Sequence, residues 1–133
     1  MRIYANTLAA IILTVTSSSA MAEWTLIDIN ESHNTYVDYS TIRKAGKKVK
    51  LWKLEDYKTV RQFDEKMKFL SAISQSEYDC MAETAKTIAF TWFAGNMLAG
   101  EPVYTSNNPQ GDNSPIQPGS VGEVVWKIAC GKK

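Results

Sequence analysis

Hydrophobic and polar residues alternate with a period of two along most of the chain after residue 23. This period is typical of β-strands that bury one face, because successive side chains of a strand point to opposite faces. The alternation is clearest in residues 86–94, where Ile88, Phe90 and Trp92 share one side. The same reasoning predicts further strands, the last of them short, at residues 24–29, 35–39, 48–58, 66–80 and 102–105.

The strand predicted at residues 48–58 changes its apolar side part-way. Val49 and Leu51 lie on one side, whereas Trp52 and Leu54 lie on the other. Such a change indicates either a bulge or a strand that is partly buried on both faces. The sequence leaves these two alternatives open.

Polar segments between the predicted strands indicate turns. Gly46 lies in one of them and is free to adopt a positive φ angle. Residues 106–119 contain almost only turn-forming residues and predict a long loop, either a recognition surface or a mobile connector. The shorter connecting turns are predicted at residues 30–34, 40–46 and 59–65.

The end of the chain changes to a helical period. Ser120 and Glu123 have the spacing of a capping box, and Gly131 is placed where glycine ends a helix. Glu123 and Lys127 form an i, i+4 pair on the exposed side. Trp126 lies off the apolar face, which makes it a candidate for a groove or interface. The residues that predict the docked face are Val121, Val124, Val125 and Ile128.

Strands followed by one helix predict an α+β fold. We expect an antiparallel sheet of five to six strands, with a short C-terminal helix docked on one face. Cys80 ends one predicted strand and Cys130 ends the predicted helix. A pair of cysteines in an exported chain most often forms a disulfide, so we predict that this bond holds the helix to the sheet.

The first 22 residues have the features of a cleaved secretory signal peptide. Arg2 supplies a positive start, residues 7–15 are apolar, and Ala20 and Ala22 flank Met21 in the small-x-small pattern of a cleavage site. The apolar run is shorter than the ~20 residues that span a bilayer. We therefore expect residues 23–133 to form a single exported domain, periplasmic or secreted, although cleavage after Ala20 is an alternative.

Charge and motif content exclude several classes of function. Without Arg2, the 15 basic and 14 acidic side chains become equal in number, which argues against nucleic acid as the partner. His33 is the only histidine and is predicted to be an exposed loop residue, and with two cysteines it leaves too few ligands for structural zinc. No nucleophile motif surrounds a serine. We expect no catalysis, no metal and no cofactor.

Basic residues cluster around Gly46, with no acid between Asp38 and Glu55. One interpretation is a positive hairpin tip that meets an acidic partner, such as an anionic polysaccharide or a lipid headgroup. The other is a solvated strand edge whose lysines discourage aggregation. The candidate partner-binding residues are Arg43, Lys44, Lys47 and Lys48, together with Trp126.

Short motifs follow one another in a characteristic order along the mature chain. They are Trp24, Tyr36-Val37-Asp38, residues 49–57 (VKLWKLEDY), Tyr78-Asp79-Cys80, Pro118-Gly119-Ser120 and Cys130. In this order they resemble the surface-adhesin protein E family of Gram-negative bacteria. The resemblance implies an antiparallel sheet with its C-terminal helix disulfide-linked to the concave face. It also implies binding of host matrix and serum proteins. Members of the family can self-associate through exposed strands, and no residue pattern in this sequence decides whether it forms a homodimer.

One departure from the family bears on location. The namesake adhesin is expected to be lipid-anchored, which requires a cysteine directly after the signal peptide, and residues 20–23 contain none. We therefore expect an unanchored protein in the periplasm or the medium. The leading hypothesis is a non-enzymatic envelope protein that binds a macromolecular partner. The alternative is a periplasmic inhibitor or chaperone-like factor that acts on another envelope protein.

Overall fold

The computed structural model describes residues 10–12, 22–107, 109 and 111–133. The predicted signal peptide and its cleavage site fall mostly outside these ranges, so both stay predictions. Within the described ranges, no helix is long and apolar enough to cross a membrane.

The described residues form one antiparallel sheet followed by one α-helix, which confirms the predicted α+β class. In this part of the chain six strands follow one another in chain order across the sheet, and a seventh strand of two residues pairs with the fifth. A short 3-10 turn lies at Asn96–Leu98. The elements are β1 (Thr25–Ile29), β2 (His33–Ala45), β3 (Lys48–Gln62), β4 (Lys68–Asp79), β5 (Thr84–Phe93), β6 (Pro102–Ser106), β7 (Ser114–Pro115) and α1 (Val121–Cys130).

Strand β2 runs through most of the segment that was predicted to be a turn. Its register with β3 shifts between Asp38 and Arg43, so the polar residues form a bulge instead of ending the strand. The Asp38 carboxylate accepts hydrogen bonds from the backbone N–H and the hydroxyl of Ser40, at 3.0 and 2.6 Å. The turn itself is confined to Gly46 and its neighbour, and Gly46 has the expected positive φ of 62°. The prediction of a turn at residues 40–46 was therefore wrong except at its end.

Strand β3 is buried on both faces, which decides between the two alternatives for its apolar pattern. Leu51 lies under α1, whereas Leu54 faces the opposite side, and both are fully buried. The register with β4 is unbroken from Lys48 to Asp56, so no bulge causes the change of side. A register shift follows only after Asp56, and β3 continues to Gln62 through residues that were predicted to be a turn.

The 3-10 turn covers the second face of β3 and β4. The hydroxyl of Ser71 donates to the carbonyl of Gly95 at 2.6 Å and accepts from the N–H of Leu98 at 2.9 Å. The Asp56 carboxylate accepts from the N–H of Met97 at 2.8 Å. Polar side chains in two adjacent strands, the buried Ser71 and the partly buried Asp56, therefore hold this segment in place.

The C-terminal helix has the predicted ends. The Ser120 hydroxyl accepts from the N–H of Glu123 at 3.2 Å, and Gly131 adopts the left-handed conformation that ends the helix. The Glu123 carboxylate lies 3.6 Å from the amine of Lys127. The predicted disulfide between Cys80 and Cys130 is also present, and it joins the end of α1 to the end of β4.

The rotation of α1 about its axis differs from the prediction. Val125, Trp126 and Ala129 form its buried side, whereas Val121, Val124 and Ile128 are only partly buried. Trp126 is 9% exposed, and its indole N–H donates to the carbonyl of Asp79 at 3.2 Å. The cause is the disulfide, because residues four apart share one face of a helix and Cys130 must face the sheet. Trp126 is therefore a core residue and not a surface candidate.

Candidate functional site

The helix covers only part of one sheet face and leaves the rest open. Val49 and Leu51 of β3 lie beneath α1, whereas Lys53 and Glu55 lie further along the same side of the strand. Cross-strand pairs place Ser74 and then Phe90 beside Lys53, and Ala72 and then Trp92 beside Glu55. Directly paired residues point to the same face. The open face across β3, β4 and β5 is called the trough below, and it is lined by Lys53, Glu55, Tyr57, Ala72, Ser74, Thr87, Phe90 and Trp92.

One end of the trough is a cluster of aromatic side chains. The rings of Phe69 and Trp92 stack with centroids 4.4 Å apart and planes 8° from parallel. Phe90 and Tyr104 each lie 5.3 Å from the Trp92 ring. Phe63 is 70% exposed and Tyr104 is 42% exposed. The cluster surrounds a pocket of about 320 Å³, called the aromatic pocket, that is lined by Phe63, Met67, Phe90, Trp92 and Tyr104.

The middle of the trough is a polar strip formed by Lys53, Glu55 and Tyr57. The Lys53 amine lies 3.5 Å from one carboxylate oxygen of Glu55, and both side chains are mostly buried, at 19% and 25% exposed. The Tyr57 hydroxyl donates to the other oxygen of Glu55 at 2.5 Å. The single carboxylate therefore binds one partner with each oxygen, so the strip is compact and carries no net charge.

Burial and these neighbours perturb the titration of all three groups. Burial opposes the charge of Lys53, but Tyr78 and Glu55 outweigh it, so the pKa of Lys53 lies above its usual value. Burial also opposes the charge of Glu55, but Lys53 and the Tyr57 hydroxyl outweigh it, so the pKa of Glu55 lies below its usual value. Burial and the nearby Glu55 raise the pKa of Tyr57, which keeps its hydroxyl a donor.

The strip makes a prediction about acid stability. A carboxylate whose pKa is lower in the folded state contributes stability above its unfolded pKa of about 4.3, and this stability is lost as the pH falls through the folded pKa. We expect the free energy of unfolding of Glu55→Gln to depend less on pH than that of the wild type between about pH 5 and 3. Urea unfolding at several pH values measures it. Tyr57→Phe keeps Lys53 as the partner of Glu55, so its free energy of unfolding should show an intermediate dependence on pH. If the free energies of wild type and Glu55→Gln changed with pH in parallel, the lowered pKa of Glu55 would be contradicted.

His33 lies beside this strip and not in a loop. It is the first residue of β2 and is half-buried, with its ring 5.3 Å from that of Tyr57. The guanidinium of Arg61 lies 5.3 Å from the Tyr57 ring centre on a cation–π contact. The prediction of an exposed loop histidine was therefore wrong, because the strand begins two residues earlier than its β-branched pattern indicated.

The predicted basic residues come together around the β2–β3 turn. Arg43, Lys44, Lys47 and Lys48 are all exposed. The guanidinium of Arg43 folds back and donates to the carbonyl of Ser40 at 2.7 Å, and the Lys48 amine lies 3.6 Å from the Glu77 carboxylate. Part of the positive charge is thus engaged within the chain. This group is called the basic tip below.

The segment predicted as a long loop has some order. The N–H of Ile116 donates to the carbonyl of Glu83 at 2.9 Å, and β7 pairs with the start of β5. Pro109, Gly111 and Asp112 border a second pocket of about 370 Å³ that shares Lys53 and Thr87 with the trough. This described part of the segment therefore forms the end of the trough opposite the aromatic pocket.

Sequence reasoning missed the trough. Phe90 and Trp92 were identified as one side of a strand, but that pattern alone is typical of core residues. The only local signal was the exposed Phe63 inside a polar segment. Among the described residues, no group of three or more His, Cys, Asp or Glu side chains lies close enough to hold a metal ion.

Comparison with known proteins decides the family. A family model described as surface-adhesin protein E matches residues 24–131, which is most of the chain. This chain belongs to the surface-adhesin protein E family. The resemblance stated from the sequence motifs is thereby confirmed. A comparison with curated proteins finds no match.

Solved structures of Haemophilus influenzae protein E share the fold. The chain is similar to Haemophilus influenzae protein E in crystal form II, with a TM-score of 0.60, 11% identity, and coverage of 84% of this chain and 97% of that one. A second structure of Haemophilus influenzae protein E gives a TM-score of 0.58 with 11% identity, covering 84% of this chain and 92% of that one. At this identity the likeness shows the fold alone. The disulfide fits the extracytoplasmic location of a surface-adhesin protein E family member.

Proposed function

We propose that this protein is a non-enzymatic, exported envelope protein that binds a macromolecular partner through the trough. The observation that supports it is the aromatic pocket, where Phe63 and Tyr104 expose large apolar surface beside a polar strip. Exposed aromatic surface on a small domain costs solubility, and such patches mark binding sites in soluble proteins. Concave sites with apolar walls and a few convergent polar groups are also the usual form of ligand sites. Membership of an adhesin family supports binding, and not catalysis, as the role.

Affinity capture tests this proposal. Tagged wild-type protein is incubated with envelope fractions and with extracellular-matrix fractions at physiological salt, followed by crosslinking and identification of the retained partner. The double variant Phe63→Ala/Tyr104→Ala removes the exposed rings of the pocket and is expected to lose that partner. Capture of nothing above background by the wild type, or equal capture by the double variant, would count against the proposal.

A matched control separates a specific site from general stickiness. Ile29 and Tyr39 are exposed apolar residues outside the trough, at 64% and 49% exposed. The double variant Ile29→Ala/Tyr39→Ala removes a similar amount of exposed apolar surface. It is expected to retain the partner as the wild type does.

The basic tip is a second candidate surface, for an acidic partner such as an anionic polysaccharide. Lys44 and Lys47 are exposed beside the turn, and an ion pair with a described carboxylate is seen only for Lys48 of the four tip residues. Binding of dextran sulfate by Lys44→Glu/Lys47→Glu is expected to be weaker than wild type and to fall with salt. Lys58→Glu/Lys68→Glu makes the same change of charge at exposed positions away from the tip. If both double variants weakened the binding of dextran sulfate equally, the effect would come from net charge and not from the basic tip.

The cellular location separates the leading role from its alternative. An adhesin must be reached from outside the cell, whereas a periplasmic inhibitor or chaperone-like factor is found only after the outer membrane is opened. Labelling of intact cells with an antibody against the protein, compared with osmotically shocked cells, distinguishes them. Protein detected only after shock would favour the periplasmic role.

A further inference from the structure

The trough combines features that together select one class of ligand. We infer that it binds an extended polypeptide segment, with a bulky apolar side chain in the aromatic pocket and the peptide backbone across the polar strip. The inference rests on the proposed function and specifies what occupies its site. Three properties of the trough carry it, namely the apolar pocket wall, the neutral strip and the elongated shape.

The wall of the aromatic pocket favours an apolar group. Four aromatic rings and the Met67 side chain line it, and the only polar side-chain groups among these lining residues are the Tyr104 hydroxyl and the indole N–H of Trp92. A sugar ring placed there would leave most of its hydroxyls without hydrogen-bond partners, which is costly. The apolar surface of a phenylalanine, tryptophan or leucine side chain gives up no hydrogen bonds when it is buried there, and it gains contact with the rings. The flexible thioether of Met67 can adapt to side chains of different shape.

The polar strip excludes a strongly charged ligand. The carboxylate of Glu55 already binds Lys53 with one oxygen and Tyr57 with the other. An anionic lipid headgroup would meet a lysine that is engaged and a carboxylate that repels it. Peptide groups are neutral and need both donors and acceptors when they are taken out of water. The remaining N–H groups of Lys53, the remaining lone pairs of the Glu55 carboxylate and the hydroxyls of Ser74 and Thr87 supply both along the trough.

The shape of the trough requires an elongated occupant. Lys53 and Thr87 line both the trough and the pocket bordered by Pro109, Gly111 and Asp112. Phe90 and Trp92 line both the trough and the aromatic pocket. The three spaces therefore adjoin one another on the face formed by β3, β4 and β5. An extended chain advances by roughly 3.3–3.6 Å per residue, so a segment of several residues can follow this path.

The test uses short blocked peptides and nuclear magnetic resonance of the labelled full domain. The probes are acetyl-Gly-Gly-Phe-Gly-Gly-amide and the same peptide with alanine at the centre. The phenylalanine peptide is expected to shift the indole signal of Trp92 and the amide signals of Ser74 and Thr87. It should bind at least roughly tenfold more tightly than the alanine peptide, because one ring is buried. Phe63→Ala/Tyr104→Ala should abolish this preference, whereas Ile29→Ala/Tyr39→Ala should keep it.

Other occupants are tested in the same way. Chitotriose stands for neutral sugars, and vesicles of phosphatidylcholine with phosphatidylglycerol stand for lipid surfaces. A second copy of the chain is tested by light scattering over a range of protein concentrations. The inference would be overturned if the indole signal of Trp92 shifted with the sugar, with the vesicles or on self-association, but not with the phenylalanine peptide. Equal affinity for the two peptides, or no detectable binding of either, would do the same.

The two levels of the proposal fail in different ways. If the peptides fail while captured partners still depend on Phe63 and Tyr104, the trough is a binding site and only the class of ligand is wrong. If neither peptides nor captured partners depend on these residues, the proposed function fails as well.

Discussion

Replacement of both Cys80 and Cys130 by serine is expected to lower the free energy of unfolding by about 4 kcal/mol. The bond closes a loop with a sequence separation of 50, and the loss is the entropy that the unfolded chain regains when the loop opens. The effect is large because a domain of this size has a total stability of only about 5–15 kcal/mol. In addition, α1 has ten residues, and a helix of that length is marginal without docking. Equilibrium unfolding in urea measures the change.

Reduction of the wild type provides the matched control. Wild-type protein treated with dithiothreitol is expected to lose about the same stability as the double serine variant. The variant itself should not respond to the reductant. Identical urea midpoints for oxidised wild type and double serine variant would show that the disulfide does not stabilise the fold.

Trp126→Ala is expected to lower the free energy of unfolding by about 3–5 kcal/mol. The indole is 9% exposed and packs with Val37, Leu51 and Tyr78 in the core beneath α1, so its removal leaves a cavity. Urea unfolding of the oxidised protein measures the loss. A surface tryptophan would cost far less, typically within about 0.5 kcal/mol.

A second substitution separates packing from hydrogen bonding. Trp126→Phe keeps much of the apolar volume but removes the indole N–H that donates to the carbonyl of Asp79. Its expected cost is therefore smaller than that of alanine, because the lost bond is typically worth about 1 kcal/mol and a smaller cavity remains. Equal costs for alanine and phenylalanine would indicate that packing contributes little. A negligible cost for alanine would restore Trp126 as a surface candidate.

The C-terminal helix shows which information is local. Ser120, Glu123 and Gly131 act on backbone groups within one turn of the helix, so its ends were predictable from neighbouring residues. The rotation of the helix was not predictable from the valine pattern. It follows from a contact across 50 residues, since Cys130 must reach Cys80 and thereby turns Trp126 toward the sheet. A valine pattern read without that link points to a different face.

The strands show a similar division. Alternation located every long strand of the described residues, because successive side chains of a strand point to opposite faces that differ in environment. It failed where polar residues continue a strand, as at Ser40 and Thr41, whose hydroxyls donate to the Asp38 side chain and backbone within a bulge. The partners here depend on the register between β2 and β3.

The candidate site depended on tertiary structure more than any other feature. Phe90 and Trp92 have the spacing of core residues, and Lys53 and Glu55 have the composition of a solvated strand. They meet because cross-strand register places them in adjacent rows of one face. Phe63 joins them from beyond the end of β3, and Tyr104 joins them from β6. Residues from four segments of the chain thus form one surface, and the sequence of no single segment predicts it.

The amino-acid sequence by itself determined the α+β class, the ends of the helix, the cysteine pair and the family motifs. Helix caps, the alternation of apolar residues and the pairing of cysteines depend on residues close in the chain or on few residue types, so they can be recognised from the sequence alone. Only the tertiary structure decided that the trough is open. A helix of ten residues is about 15 Å long. The six strands that follow one another in the described residues are spaced about 4.8 Å apart and form a wider sheet, so the helix covers one part and leaves the aromatic rows uncovered.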